Sequence, residues 1–131
     1  MDGSILAIDP GTRYFGLAVS DDEQRIAFPL VVLDTTKVNL INELSTIIKD
    51  KQVTKILVGL PVSLRGTVLP MTAVAQKLSD TLSDRFKIPV ESVDERLSTK
   101  QASLPGRQQS TKRVDAQAAA LLLQSYLDAQ R

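Results

Sequence analysis

Residues 4–20 read SILAIDPGTRYFGLAVS: two apolar runs, Ser4 to Ile8 and Tyr14 to Ser20, around the turn residues Pro10-Gly11-Thr12. Both runs have strand composition, and the Pro-Gly pair supplies the backbone freedom for a tight reversal. So short a link predicts an antiparallel pair. Arg25 to Leu33 (RIAFPLVVL) adds a third strand, with Pro29 confining part of it to a sheet edge or a bulge because proline cannot donate to a ladder. Lys55 to Leu60 (KILVGL) is continuously apolar, as a parallel strand covered on both faces must be, and Val90 to Val93 is a short fifth strand.

Helical spacing fills the gaps. Val38, Ile41, Leu44 and Ile48 recur on one face up to Asp50, with Asp34-Thr35-Thr36 supplying N-cap chemistry. After a loop from Pro61 to Pro70, the residues Met71, Val74, Ala75, Leu78, Leu82 and Phe86 mark a second amphipathic helix. Ser98 and Gln101 fit a capping box that opens a small helix, ended by Pro105-Gly106, and a last Ala/Leu-rich helix runs from Arg113 to Ala129. Three meandering strands followed by strand-helix alternation predict an α/β fold with a mixed sheet and helices on its faces. Right-handed crossovers place the fourth and fifth strands beside the first, giving the order 3-2-1-4-5. No repeat or linker divides the chain, so residues 1–131 are expected to form one domain.

Composition narrows the chemistry. The 131 residues are 43% hydrophobic and 24% charged, an ordinary globular balance, and include neither cysteine nor histidine. Thiol nucleophiles, Ser-His-Asp triads and zinc sites built on Cys or His are therefore excluded, and an enzyme made from this chain must use carboxylates, hydroxyls, Lys, Arg or a metal held by oxygen. The start lacks the pattern of a secretory signal and no run approaches the roughly eighteen apolar residues of a membrane span, so a cytoplasmic protein without a membrane partner is expected. Charge is uneven: Arg96 to Val114 holds five basic residues (Arg96, Lys100, Arg107, Lys112, Arg113) and no acidic one, leaving 11 basic against 15 acidic elsewhere. A polar loop of this kind suits phosphate contacts, and the lack of aromatic residues in it argues against base stacking.

Asp9 follows the first strand, Asp94-Glu95 the fifth, and Asp115 opens the last helix. Strands one, four and five are parallel in the expected sheet, so these carboxylates converge at its carboxyl edge, where open α/β sheets bind ligands. Gathered carboxylates repel one another unless cations join them, and Mg²⁺ or Mn²⁺ takes hard oxygen ligands. Two such ions about 4 Å apart can activate water and stabilise the leaving oxygen of a phosphodiester without histidine. Taken singly, each residue also has an ordinary structural role, as a turn former, a helix-dipole partner or half of a surface ion pair.

Ile8-Asp9-Pro10-Gly11-Thr12-Arg13 with Gly16, then Val58-Gly59-Leu60-Pro61 with Gly66-Thr67, Asp94-Glu95-Arg96-Leu97-Ser98-Thr99 and Val114-Asp115-Ala116 together resemble the YqgF/RuvX family. That family comprises bacterial proteins of ribonuclease H-like fold described as pre-16S rRNA nucleases and Holliday junction resolvase-like proteins. The resemblance implies a metal-dependent endonuclease whose carboxylates match Asp9, Glu95 and Asp115, with Glu95 taking precedence over Asp94. It places Arg13, Lys112 and Arg113 where phosphate contacts are expected, beside Arg107 of the cationic loop. The implied partner is nucleic acid, an rRNA precursor ahead of branched DNA, with ribosomal particles as a further partner. Where the family often has Asn after Gly-Leu-Pro and an acidic residue before Gly-Thr, this chain has Ser63 and Arg65. Three other functions compete: a junction resolvase, which needs a two-fold dimer to cut symmetrically; a sugar-kinase or actin-like ATPase, which needs two such domains; and a noncatalytic RNA-associated module.

Overall fold

The computed structural model describes residues 3–60, 70–94 and 116–130. Its elements are β1 (Ser4–Asp9), β2 (Tyr14–Ser20), β3 (Ala27–Asp34), α1 (Leu40–Asp50), β4 (Val53–Leu60), α2 (Pro70–Phe86), β5 (Val90–Asp94) and α3 (Ala116–Ala129). The five strands form one sheet in the order β3-β2-β1-β4-β5, as expected. β1 pairs antiparallel with β2 and parallel with β4, and β4 pairs parallel with β5. The small helix expected after Ser98 and the loop from Pro61 fall outside the described residues.

Strand alternation assigns the two faces. Leu6 and Ile8 of β1, Leu17 of β2 and Ile56 and Val58 of β4 pack with Leu44 of α1 and Ala75 and Leu82 of α2. Ile5, Ala7, Ala18, Leu57 and Val93 pack on the other face with Ala119, Leu122, Leu123 and Leu127 of α3. The second face is built of smaller side chains, so the alanine-rich α3 can lie close to the sheet. Side chains of β1 alternate between these two cores, and every residue of the strand is buried.

Both readings of Pro29 hold. β3 is an edge strand, and its register with β2 shifts between Leu17↔Val31 and Ala18↔Pro29, which makes Leu30 the extra residue of a bulge. The first half of this edge is also tied to α3: Gln124 Oε1 accepts from the Ala27 N–H at 2.9 Å, and Gln124 Nε2 donates to the Arg25 carbonyl at 3.1 Å.

Two expectations are corrected. α1 is capped by Asn39, whose side chain accepts from the Asn42 N–H at 3.0 Å, and not by Asp34-Thr35-Thr36. Asp34 is the last residue of β3, and Thr35–Lys37 form a turn before the helix, with the Lys37 and Val38 N–H groups donating to the Asp34 carbonyl. Val74, assigned above to the apolar face of α2, is 46% exposed. It precedes Ala75 and so sits about 100° round the helix from it, at the margin of the stripe completed by Leu78, Leu82 and Phe86.

Leu123 is fully buried against the sheet. Leu123→Ala should lower the unfolding free energy by about 2–5 kcal/mol, the range for a large-to-small change in a packed core. Urea denaturation would show this as a reduced midpoint with an unchanged slope.

Candidate active site at the carboxyl edge of the sheet

Asp9 is the last residue of β1 and is only 7% exposed. By alternation it lies on the α3 face, continuing the series Ile5, Ala7, Asp9. Its cross-strand partner on β2 is Gly16. On the other side β1 and β4 run in register through Ile8↔Val58, so the next level pairs Asp9 with Gly59, itself opposite Val93 of β5. The carboxylate thus stands in a row with a glycine on either side, and neither neighbour brings a side chain to crowd it.

Asp94, the last residue of β5, belongs to the opposite face. Val93 packs in the α3 core, whereas Val90 packs in the α1/α2 core and Ser92 Oγ lies 3.4 Å from Ser79 Oγ of α2. Asp94 follows the parity of Val90 and Ser92 and does not share a face with Asp9. Of the other residues assigned from sequence, Glu95, Asp115, Arg107, Lys112 and Arg113 lie outside the described residues. Ala116, directly after Asp115, is the first residue of α3. Among the described residues, no three acidic side chains gather into a group able to hold a metal ion.

Arg13, in the turn after Asp9, has a defined mount. Its Nε donates to Asp34 Oδ1 at 2.9 Å and its Nη2 to Asp34 Oδ2 at 2.8 Å, and the guanidinium lies 5.0 Å from the centroid of the Tyr14 ring. The hydrogen bond from Arg13, then those from Thr36, hold the Asp34 carboxyl well below the usual carboxylate range, and the bond to Asp34 raises the Arg13 pKa in turn. Sequence reasoning missed Asp34 as the partner of Arg13. The signal lay in the β2–β3 hairpin, whose register sets Tyr14 opposite Asp34, but the bulge makes that register unreadable from strand length alone.

Beside the turn, on the α1/α2 side, lies an open groove of about 550 Å³ whose lining includes Gly11, Thr12, Thr35, Asn39, Leu40 and Val74 and, among the described residues, no charged side chain. At the opposite end of β4, Lys55 is bound to Glu91 at 2.8 Å and to the Tyr126 hydroxyl. Burial pulls the Lys55 ammonium down, but Glu91 and Tyr126 together outweigh it, so the net shift is upward.

A mixed sheet in this order, with helices on both faces, defines a ribonuclease H-like fold. RuvC of T. thermophilus, solved with a Holliday junction substrate, superposes with a TM-score of 0.65 at 14% identity, covering 98% of this chain and 95% of that one. The yeast mitochondrial Holliday junction resolvase gives 0.62 at 15% identity, covering 98% and 79%. At such identities the likeness is one of fold. Residues 3–129 match the RuvX family model, described as Holliday junction resolvase, and the chain belongs to the RuvX family. Relatives include proteins of Chloroflexus aurantiacus (37% identical, 99% of this chain and 90% of the relative) and Maridesulfovibrio salexigens (38%, 94% and 96%). Each is named "Putative pre-16S rRNA nuclease".

The Asp34 pairing predicts a pH dependence. A carboxyl held below its unfolded value of about 3.9 contributes stability that is complete above that value and is lost as pH falls through it toward the folded value. Asp34→Asn should therefore flatten the acid limb of a stability-against-pH curve between about pH 4 and 2, as followed by urea midpoints. An acid limb of unchanged steepness would show that Asp34 titrates alike in both states.

Proposed function

We propose that this chain is a divalent-metal-dependent endonuclease that hydrolyses phosphodiester bonds, with the 5′ end of a pre-16S rRNA as its substrate. The observation that carries this reading is Asp9, a buried carboxylate at the carboxyl end of the central strand with glycine on both sides, in a chain whose family relatives are named as nucleases. A buried hard-oxygen donor at the carboxyl edge of the sheet suits Mg²⁺ or Mn²⁺. The proposed ligands are Asp9, Glu95 and Asp115. Asp94 is turned away from the face of Asp9, which removes the competitor to Glu95 that the sequence offered. Asp115 is supported by its place directly before α3, the helix packed on that face.

When bound, such an ion polarises the scissile phosphate and lowers the pKa of water. The chain's own residues do the rest. The three carboxylates fix the charge and direction of the site, α3 shields its apolar floor from bulk water, Arg107, Lys112 and Arg113 neutralise substrate phosphates, and Arg13 contacts one. Action on an rRNA precursor would place the protein in the cytoplasm, with ribosomal particles as partners. The family description and the RuvC-like fold favour a second reading, cleavage of a Holliday junction.

Labelled rRNA precursor, duplex and four-way junction should be incubated side by side with Mg²⁺, Mn²⁺ or EDTA. Metal-dependent cutting of the precursor is expected. Preferential cutting of the junction would establish the second reading, and no cutting of any substrate would leave only a noncatalytic role. Asp9→Asn should remain folded and lose cleavage by more than about 100-fold, because even outer-shell partners of metal ligands cost about 10–100-fold. Full activity of that variant would remove Asp9 from the site.

Neutral replacement of Arg107, Lys112 and Arg113 together should flatten the dependence of log affinity on log salt. The expected change is up to about 0.9 per lost duplex phosphate contact, or about 0.7 for a single strand. Fluorescence anisotropy over a salt series measures this slope, and an unchanged slope with unchanged affinity would show that the segment does not touch substrate.

A further inference from the structure

We propose that Asp34 is a positioning residue that aims the Arg13 guanidinium at a substrate phosphate; this rests on the nucleic-acid reading above. A guanidinium has two useful edges, and Asp34 takes the Nε/Nη2 edge. The end-on Nη1/Nη2 edge has no partner among the described residues, and the side chain is 47% exposed. That edge matches the bidentate geometry of a phosphate, so a phosphodiester can bind while Asp34 stays in place.

Both halves of the pair are anchored. Asp34 Oδ1 accepts from the Thr36 N–H at 3.0 Å and from Thr36 Oγ1 at 2.7 Å. The Arg13 carbonyl accepts from the Thr35 N–H at 2.9 Å and from Thr35 Oγ1 at 2.7 Å, and Tyr14 flanks the guanidinium. Exposed ion pairs contribute little to folding, so stability alone does not account for a surface guanidinium held by two bonds on an aspartate that is itself bonded twice by Thr36. Its place in the turn after Asp9 does: a fixed fork there sets where the substrate backbone lies. The pair is neutral overall, so it adds little long-range attraction and acts by local geometry.

This account separates binding from turnover. Asp34→Asn adds one net positive charge and loosens the fork. Affinity at low salt should hold or tighten, with the salt slope steeper by up to about 0.9 for a duplex or 0.7 for a single strand. The kcat should fall about 10- to 100-fold, the scale of a displaced contact near reacting atoms. Arg13→Lys keeps the charge but not the fork and should also lose kcat at similar affinity. Thr36→Val removes one buttress and should lose kcat by less, which keeps the test open if Asp34→Asn folds poorly. Unchanged kcat in folded Asp34→Asn would overturn the proposal, as would a rise in both affinity and kcat, which would make Asp34 a competitor of phosphate. A parent that cuts nothing would sink the nuclease reading alone. In that case the Arg13 Nε–Hε NMR signal, followed while uridylyl-uridine is added in EDTA, decides: a shift in the parent that is smaller in Asp34→Asn at equal saturation supports the mount, and no shift in the parent, or an equal shift in the variant, rejects it.

Discussion

The burial of β1 on both faces is the constraint on which the other elements depend. All six of its residues are buried, and its two sets of side chains meet different helices. A slip of one residue would exchange them, driving Leu6 and Ile8 under the closely packed α3 and turning Asp9 into the α1/α2 core. The larger core under α1 and α2 and the smaller one under α3 thus enforce the same register from opposite sides. That register brings the one acidic residue of β1 to its end, on the α3 face, at the edge where the parallel strands finish.

The rest of the edge follows from this placement. The hairpin that returns from Asp9 positions Arg13, and the β2–β3 ladder carries Asp34 to it across 21 residues of sequence. The same ladder explains why α1 starts late. Asp34 is committed to Arg13 and Thr36, and the Thr35 and Thr36 hydroxyls donate to the Arg13 carbonyl and to Asp34, so the helix is capped by the next such residue, Asn39. The geometry beside the candidate site and the start of a helix on the other face are consequences of one pairing.

The sheet order was legible because each strand carried a local signature: the short Pro-Gly turn for β1–β2, Pro29 for an edge, and the unbroken apolar run of β4 for a buried parallel strand. The boundaries of β2 were likewise legible, since Tyr14 to Ser20 is bounded by a turn at each end. The cap of α1 was not, because an aspartate before two threonines offers the same local chemistry whether it caps a helix or closes a turn, and only the distant Arg13 decides between them. Val74 escaped because an apolar residue at the margin of a helical stripe has the same spacing whether or not a neighbour covers it. At the candidate site, the position of Asp9 at the carboxyl end of the first strand was legible from the apolar run that precedes it. The flanking glycines were visible as letters, but their meeting in one row depends on pairings between three strands.

The mooring of β3 to α3 also closes part of the sheet's free edge. Backbone N–H groups two residues apart point to the same side of a strand; on the outer side of β3, that of Ala27 is bound by Gln124 and Pro29 has none. The first half of this border therefore offers no ladder of donors to an approaching strand, and the bulge at Leu30 breaks the alignment beyond it. Ile26 and Phe28 stay exposed there, an apolar stretch that on an open border would invite stacking of sheet upon sheet into fibrils. Gln124 and Pro29 act as a selvedge: they finish the margin of the sheet so that crowding in a cell does not extend it.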